Sequence, residues 1–517
     1  MKSRSEGEAT ATPPPPDGDG ILAAVPAHQR GRILAGIRWS FWLSVLGAPF
    51  GYGTSTLLAR TGPDVIGTYG LLMVWVALVS TIFYLGGDAA VVKYVPEIDS
   101  CRRPDFLASY FTVIILGLLP WLAAAALWPQ ALHYLFGSQD GSRFQFILLC
   151  LAPIYIAYSM VVAALKGMLD MAWAQSIFRF VTVGTFVFYA LVYFFYRGFL
   201  NAYYREVVWG VYLVLIATAA AVGFRQLRTL EGWRLCGRRL RFFLPPGFWR
   251  YVLTLQESSA LAFLTARLDF LLVLNFAGLA TLGKYVALLT VAQIVTVVNK
   301  SFIDALLPSL TNVLARRNYT AASQIFAVNL RILFAVNMML MCGLMFFIHP
   351  IALLMGPTYV SLSRQFVVMI LFFGLAAPGA IGSTALTSVG RQQRTVWVNL
   401  GQIALFSMLF MALWPKWHLG GAIFAQGAAV LVSSTVLLAV ARFGVPFKIR
   451  VLYDYVLFVA VGAPAGVFAL TYRPLSLPTA LLAWVISVFA FLLLSGFRFA
   501  EVRSLVEVFV RSGRAQL

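Results

Sequence analysis

The amino-acid sequence predicts an all-α polytopic membrane protein with about fourteen transmembrane helices. Of its 517 residues, 61% are hydrophobic and only 11% are charged, which is typical of a chain whose solvent is lipid. Apolar stretches of about 20 residues, enough to cross a ~30 Å hydrocarbon core as a helix, recur from Ile33 to Gly496. Stretches such as Leu71 to Gly87 are apolar on all sides, whereas the strands of a membrane β-barrel would alternate apolar and polar residues. The sequence therefore favours a helical bundle over a barrel.

The apolar stretches define fourteen predicted spans, numbered in chain order. They cover 33–58, 67–87, 107–128, 146–164, 175–196, 206–223, 252–277, 283–305, 325–349, 365–389, 396–414, 420–441, 452–471 and 478–496. The first thirty residues are polar and contain four consecutive prolines, Pro13 to Pro16. We expect a disordered tail there rather than a cleavable signal peptide.

Basic residues set the predicted orientation. The chain has 39 Lys and Arg residues against 19 Asp and Glu, and most basic residues share one side if the amino terminus is cytoplasmic. Cytoplasmic segments are enriched in Lys and Arg. We therefore expect a multi-pass protein of the bacterial cytoplasmic (inner) membrane with both termini in the cytoplasm. This orientation accounts for the net charge of +20 without a nucleic-acid partner.

An internal repeat divides the spans into two lobes. At one constant offset along the chain, four positions recur as the same residue type: Gly62 and Gly278, Gly67 and Gly283, Tyr69 and Tyr285, Asp88 and Asp304. Repeats in the same orientation predict a pseudo-twofold axis along the membrane normal. The predicted parts are a cytoplasmic tail (1–31), an N-lobe of spans 1–6 (32–224), a basic cytoplasmic loop (225–250), a C-lobe of spans 7–12 (251–445), spans 13 and 14 (446–497) and a second cytoplasmic tail (498–517).

The segment from Leu57 to Glu97, LLARTGPDVIGTYGLLMVWVALVSTIFYLGGDAAVVKYVPE, resembles the first hairpin of polysaccharide and O-antigen flippases. These proteins belong to the multidrug, oligosaccharidyl-lipid and polysaccharide exporter superfamily. The second half of the chain shows a similar residue pattern from Leu268 to Val295 and in the polar turn from Leu386 to Thr395. The resemblance to these flippases therefore covers roughly residues 33–445.

The resemblance implies two six-helix lobes around a central cavity and transport by alternating access. It also implies an amphipathic substrate, a lipid-pyrophosphate-linked glycan precursor that crosses from the inner to the outer leaflet, and a glycan polymerase as a candidate partner. Spans 13 and 14 depart from the twelve-span members. Two rivals within the superfamily stay open, a multidrug or toxic-compound exporter and a peptidoglycan lipid flippase.

The inner segment between spans 6 and 7 is the most basic part of the chain. Its arginines are Arg225, Arg228, Arg234, Arg238, Arg239, Arg241 and Arg250, against one acid, Glu231. They are either a topology anchor on anionic phospholipids, at about 1 kcal/mol for each surface Arg, or a collecting surface for a lipid-linked pyrophosphate. The anchor needs fewer assumptions.

Charged residues inside the spans are the candidate substrate contacts, because such a residue near a helix centre costs at least about 2.5 kcal/mol in lipid. Arg267 lies about 15 Å from the outer end of span 7, near the bilayer midplane. Asp269 is two positions away, about 200° around the helix, so the two cannot pair with each other. We expect Arg267 to bind the pyrophosphate and Asp269 to orient a neighbour or to titrate. The alternative is an interhelical ion pair.

Four further residues are candidates. Lys300 and Asp304 share a face of span 8, where a salt bridge at the cytoplasmic mouth competes with substrate or ion contact. Asp88, the repeat-mate of Asp304, is expected first to cap or turn the chain at the membrane surface. Glu257 could bind a proton or Na⁺, or lie at the interface. No cofactor is expected apart from coupling to Na⁺ or H⁺.

The sequence argues against an enzyme. The longest predicted outer loop, 128–145, contains one acid, Asp140, so paired carboxylates for acid/base chemistry are missing. The four histidines have no metal-binding spacing. The four cysteines predict neither a metal site nor a disulfide, because Cys101 and Cys236 lie in polar loops and the other two in apolar spans.

The predicted orientation can be tested by cysteine labelling. In a variant that retains only Cys236, a membrane-impermeant thiol reagent should label the protein only after the membrane is permeabilised, because the loop is basic and cytoplasmic. Labelling of intact cells from outside would invert the topology.

Overall fold

The computed structural model describes residues 47, 49–84, 87–127, 141–168, 170–196, 198, 202–230, 241–315, 319–389, 391–442, 450–472 and 475–495. Both predicted tails lie outside these residues. The described residues form helices and no β-strand. Among them, eleven helical segments are long and apolar enough to cross a membrane, and one of these, Ser259–Thr296, runs through span 7 into span 8.

Each predicted span corresponds to a helix, so the predicted fold class is confirmed. Span 1 is helical over 49–61. The others are Pro63–Leu78, Arg103–Leu127, Gly141–Gly167, Met171–Phe195, Tyr204–Thr229, Phe248–Ala315 (spans 7 and 8), Tyr319–Phe346, Ser363–Ala376 with Gly379–Ser388 (span 10), Gln392–Trp417, Leu419–Ala441, Arg450–Thr471 and Leu477–Leu494. Three short helices, Gly87–Glu97, Ile348–Met355 and Pro357–Val360, lie between spans.

Glycine and proline set several span boundaries. Gly278 separates span 7 from span 8 with φ 77° and ψ 178°, a backbone conformation that residues with a Cβ rarely adopt. Pro63 occupies the first turn of span 2, directly after Gly62, because its fixed φ suits that position and its missing N–H is not needed there. Span 2 therefore begins before the predicted start at Gly67.

The two repeats differ at the predicted inner end of their second helix. Span 2 ends in a π-helical turn, Val79–Phe83, and the chain resumes as the separate helix Gly87–Glu97. The corresponding helix of the second lobe, span 8, continues without a break to Ala315. Asp88 consequently lies in the first turn of a short helix.

Spans 2 and 8 contact each other at the interface between the lobes. A Cβ atom built on Gly283 would lie 3.0 Å from the backbone N of Gly67, and one built on Gly70 would lie 3.4 Å from the Cβ of Val286. Both pairs are repeat-mates, separated by the same offset along the chain. Equivalent residues can contact each other only near the axis that relates them. The pseudo-twofold axis therefore passes between spans 2 and 8, as the parallel repeat predicts.

Spans 13 and 14 pack on the second lobe through polar contacts. Arg331 of span 9 donates a hydrogen bond from Nε to Oδ2 of Asp454 in span 13 at 2.7 Å, and Asp454 is only 1% exposed. Trp484 of span 14 donates from Nε1 to the carbonyl of Met339 in span 9 at 2.9 Å. The two extra helices are thus fixed to the lobe by directional bonds as well as apolar packing.

The expectation of no disulfide is wrong for Cys101, which is disulfide-bonded to a cysteine outside the described residues. Cys150 and Cys342 have free thiols. Sequence spacing did not reveal this bond. At the described end of the basic loop, Arg241 lies against span 3. There the backbone N–H of Arg241 donates to Oδ1 of Asp105 at 3.2 Å.

Breaking the Arg331–Asp454 pair should destabilise the second lobe. Loss of one partner from a buried ion pair costs about 3–5 kcal/mol, so Asp454→Ala should lower the thermal unfolding midpoint in detergent by several degrees. The double variant Arg331→Met/Asp454→Leu should restore most of the loss, because apolar residues replace a buried pair at little cost.

Asp88→Asn provides the matched control. The side chain of Asp88 is 47% exposed and lies 3.7 Å from Nζ of Lys166, and exposed pairs contribute about 0–1 kcal/mol. Equal losses for Asp454→Ala and Asp88→Asn would contradict the assignment of Asp454 as the stabilising anchor of span 13.

Candidate functional site

Arg267 is placed on span 7 with a partly accessible side chain. Its guanidinium carbon lies 5.1 Å from the ring centroid of Phe270, less than one helical turn further along, a favourable cation–π distance. Within the described residues the guanidinium has no carboxylate at ion-pair distance and no side-chain hydrogen bond. It therefore keeps its five donors for a ligand or for water.

Asp269 is turned into the second lobe and is 2% exposed. Tyr285 of span 8 donates its hydroxyl to Oδ2 of Asp269 at 2.6 Å, and the backbone N–H of Phe270 donates to Oδ1 at 2.9 Å. Both carboxylate oxygens are thus engaged. Of the two predicted roles, orienting a neighbour fits this geometry, because the carboxylate joins spans 7 and 8 across the break at Gly278.

The hydrogen bond of Asp269 has no counterpart in the first lobe. By the offset of the internal repeat, Gly53 is the repeat-mate of Asp269, and Tyr69 is the repeat-mate of Tyr285. Gly53 instead allows close approach to Phe186, whose Cε2 would lie 2.6 Å from an added Cβ. The acid is therefore specific to the second lobe.

Asp88 forms an ion pair in the first lobe. Its Oδ2 lies 3.7 Å from Nζ of Lys166. Burial raises the pKa of the Asp88 carboxyl above its ordinary value, and the Lys166 ammonium offsets part of this effect. The carboxyl thus binds a proton at higher pH than a fully solvated Asp would.

The side chains of three predicted site residues lie outside the described part of the chain. Glu257 and Lys300 lie on the helix that contains spans 7 and 8, as does Asp304, but their side chains lie outside the part of the chain that is described. The roles expected for them stay predictions.

Sequence reasoning missed several basic residues inside the predicted spans, among them Arg179 and Arg331. Arg179 lies on span 5, about 12 Å along the helix from Met171, with its guanidinium carbon 5.2 Å from the Phe178 ring centroid. Its Cδ would lie 2.6 Å from a Cβ added to Gly47, so the side chain rests against span 1. A basic residue within an apolar stretch was the available signal in both cases.

The inner half of span 7 is attached to the first lobe. Phe248 is 1% exposed and packs edge-on against Tyr110 of span 3, with ring centroids 5.2 Å apart. Nζ of Lys93 lies 4.0 Å from the Tyr251 ring centroid. Since Asp269 bonds within the second lobe, span 7 connects the two lobes, and Arg267 lies on the connecting helix.

Polar residues that could hold a metal are not clustered. Among the described residues, no group of three or more His, Cys, Asp or Glu side chains could hold a metal ion. The chemistry that the described site offers is recognition of charge by Arg267.

No protein-family model matches the chain, and no curated protein matches it significantly. Several solved structures share its fold. An inward-facing multidrug resistance transporter of the MATE family, in the MOP superfamily, is 13% identical with a TM-score of 0.63, and the match covers 79% of this chain and 98% of that one. An outward-facing MATE transporter is 14% identical with a TM-score of 0.57, covering 83% and 98%.

The lipid II flippase MurJ in an inward closed conformation also shares the fold. It is 14% identical with a TM-score of 0.63, and the match covers 92% of this chain and 99% of that one. These likenesses show that the chain shares the two-lobe fold of these solved structures.

Removing the Tyr285 hydroxyl should weaken the second lobe. A hydrogen bond to a charged group contributes about 1.5–3 kcal/mol, so Tyr285→Phe should lower the unfolding midpoint in detergent. Tyr69→Phe is the matched control, since its hydroxyl donates to no acid among the described residues. A midpoint for Tyr285→Phe as high as that of Tyr69→Phe would show that the hydrogen bond to Asp269 contributes nothing measurable.

Proposed function

We propose that this protein is a flippase that moves lipid-linked oligosaccharide or polysaccharide precursors from the inner to the outer leaflet of a bacterial cytoplasmic membrane. The fold supports translocation by alternating access of two lobes. The observation that supports the substrate class is Arg267, a guanidinium near the predicted midplane that is partly accessible and forms no ion pair or side-chain hydrogen bond among the described residues.

An anionic substrate fits the charges inside the described spans. The two acids at depth, Asp269 and Asp454, are 2% and 1% exposed, and each already accepts a hydrogen bond. Arg267 forms no ion pair or side-chain hydrogen bond among the described residues, so its donors remain for the substrate. A guanidinium cannot lose its charge at physiological pH, and its forked donors match the oxygens of a phosphate.

The roles of the site residues follow from this substrate. Arg267 binds the pyrophosphate, Asp269 holds span 7 to span 8 and so positions Arg267, and Lys300 supplies a further positive charge toward the cytoplasmic mouth. The basic loop collects the headgroup or anchors the protein to anionic phospholipids.

Coupling to an ion is part of the proposal. Asp88 is the candidate for proton binding, because its side chain remains partly accessible beside Lys166 and the surrounding protein raises the pKa of its carboxyl. Glu257 and Asp304 are further candidates for Na⁺ or H⁺. A glycan polymerase that receives the translocated precursor would be the natural partner.

Two rival functions remain. A peptidoglycan lipid flippase is favoured by the match to the lipid II flippase MurJ, which covers more of this chain than the match to the MATE transporter does, 92% against 79%. A multidrug exporter is favoured by the MATE likeness, but a cationic drug would be repelled by Arg267. Proteoliposomes offered a lipid-linked oligosaccharide, lipid II or a cationic dye would separate the three.

Arg267→Ala should abolish translocation of a lipid-pyrophosphate-linked oligosaccharide in proteoliposomes. Charge-assisted hydrogen bonds of about 1.5–3 kcal/mol correspond to roughly 10–100-fold in affinity. Arg267→Lys should recover only part of the rate, because the charge remains but the fork is lost.

Arg364→Ala is the matched control for this experiment, since Arg364 is an exposed arginine at the start of span 10. We expect it to transport at the parental rate. Full activity of Arg267→Ala at equal protein level would refute the proposed role, and loss of the folded protein would instead show that Arg267 stabilises the fold.

A further inference from the structure

The backbones of spans 2 and 8 touch at the predicted outer end of the protein. A Cβ atom on Gly283 would overlap the carbonyl oxygen of Pro63, and one on Gly67 would overlap the carbonyl oxygen of Leu279. Both obstacles are backbone atoms of the other lobe, which a rotamer change cannot remove. Only glycine at both positions permits this contact.

The contact continues inward for one further turn. A Cβ atom on Gly70 would overlap Cγ2 of Val286. Gly70 is about 10 Å along span 2 from Pro63, so the closure extends into the hydrocarbon depth of the membrane. Tyr285, which holds Asp269, lies next to Val286 in the chain, so the contact is built on the helix that fixes span 7.

A second layer covers the same end. Gly356, between the short helices Ile348–Met355 and Pro357–Val360, has φ 127°, and a Cβ added to it would lie 3.8 Å from Cα of Arg60 at the end of span 1. Tyr359 in this layer is 1% exposed. The second lobe therefore meets the first through backbone in two layers at this end.

We propose that Gly67, Gly70 and Gly283 form the gate that closes the outer end of the translocation pathway and that this contact opens in each transport cycle. The proposal rests on the proposed function, because it assigns the gate of the same pathway. Lobes related by an axis between spans 2 and 8 can expose the outer side only if these two helices separate there.

The composition of the contact suits a gate. Small residues let helix backbones approach closely, and in lipid such contacts depend on van der Waals packing rather than on a hydrophobic driving force. The contact at Gly67, Gly70 and Gly283 contains no ion pair or side-chain hydrogen bond among the described residues. Opening it breaks no polar bond in lipid, whereas closing it seals the pathway with two backbones.

A disulfide across the gate tests the proposal. Ideal Cβ positions at Gly70 and Val286 are 3.4 Å apart, close to the range of about 3.5–4.5 Å in disulfides. In a cysteine-free background, Gly70→Cys/Val286→Cys should crosslink under oxidation, reduce transport more than tenfold and regain it on reduction. The matched control is Val161→Cys/Gly223→Cys, a pair within the first lobe with Cβ positions 3.8 Å apart, which should crosslink without loss of transport.

Substitution of the gate glycine gives a readout that does not depend on the substrate. Gly283→Ala should prevent closure, so a cysteine at Met73, on the turn below Gly70, should be labelled severalfold faster by an impermeant thiol reagent from outside. Gly401→Ala is the control, because a Cβ there meets nothing within 4 Å, and it should leave the labelling rate unchanged.

The possible outcomes test the gate independently of the proposed substrate. Unimpaired transport by the crosslinked Gly70→Cys/Val286→Cys protein, or an unchanged labelling rate in Gly283→Ala, would overturn the gate. If the parental protein moves no lipid-linked oligosaccharide, the proposed function fails, and the labelling rates still decide the gate.

Discussion

The cost of placing charge in hydrocarbon governs the whole structure. A charged side chain near the centre of a span costs at least about 2.5 kcal/mol unless it is paired or wet. Two acids at depth meet this requirement within the second lobe, Asp269 through Tyr285 and Asp454 through Arg331. Arg267 has a cation–π contact with Phe270 but no ion pair or side-chain hydrogen bond among the described residues, so we assign its donors to a substrate or to water.

Close approach of helices is the second organising feature. Without a hydrophobic driving force between helices, packing depends on surface fit, and glycines supply it at the axis between the lobes and along spans 10, 12 and 13. Glycines allow close helix contacts both within each lobe and between the lobes. A glycine contact between lobes can separate without breaking a hydrogen bond or an ion pair. Rigid lobes and a separable interface thus come from one residue type.

Much of the fold could be predicted from the sequence, since apolar length and basic loops determine which segments cross and in which direction. The internal repeat alone makes Gly67 the counterpart of Gly283. The helix breaks at Gly278 and between Ala377 and Gly379 could not be located from the sequence, because hydropathy gives helix ends only approximately. The disulfide of Cys101 could not be predicted, because sequence spacing does not show which segments lie close together in the fold.

Less of the candidate site could be predicted. The position of Arg267 near the midplane followed from counting residues, but the partner of Asp269 did not, since a hydrogen bond between spans 7 and 8 requires the turn at Gly278. Arg179 and Arg331 were overlooked although both interrupt apolar stretches.

The most direct test of the central claim compares one oligosaccharide on a lipid pyrophosphate and on an uncharged lipid linkage in proteoliposomes of the parental protein. We expect translocation of the pyrophosphate form alone, and equal translocation of both would contradict the role of Arg267 in recognising the substrate's charge.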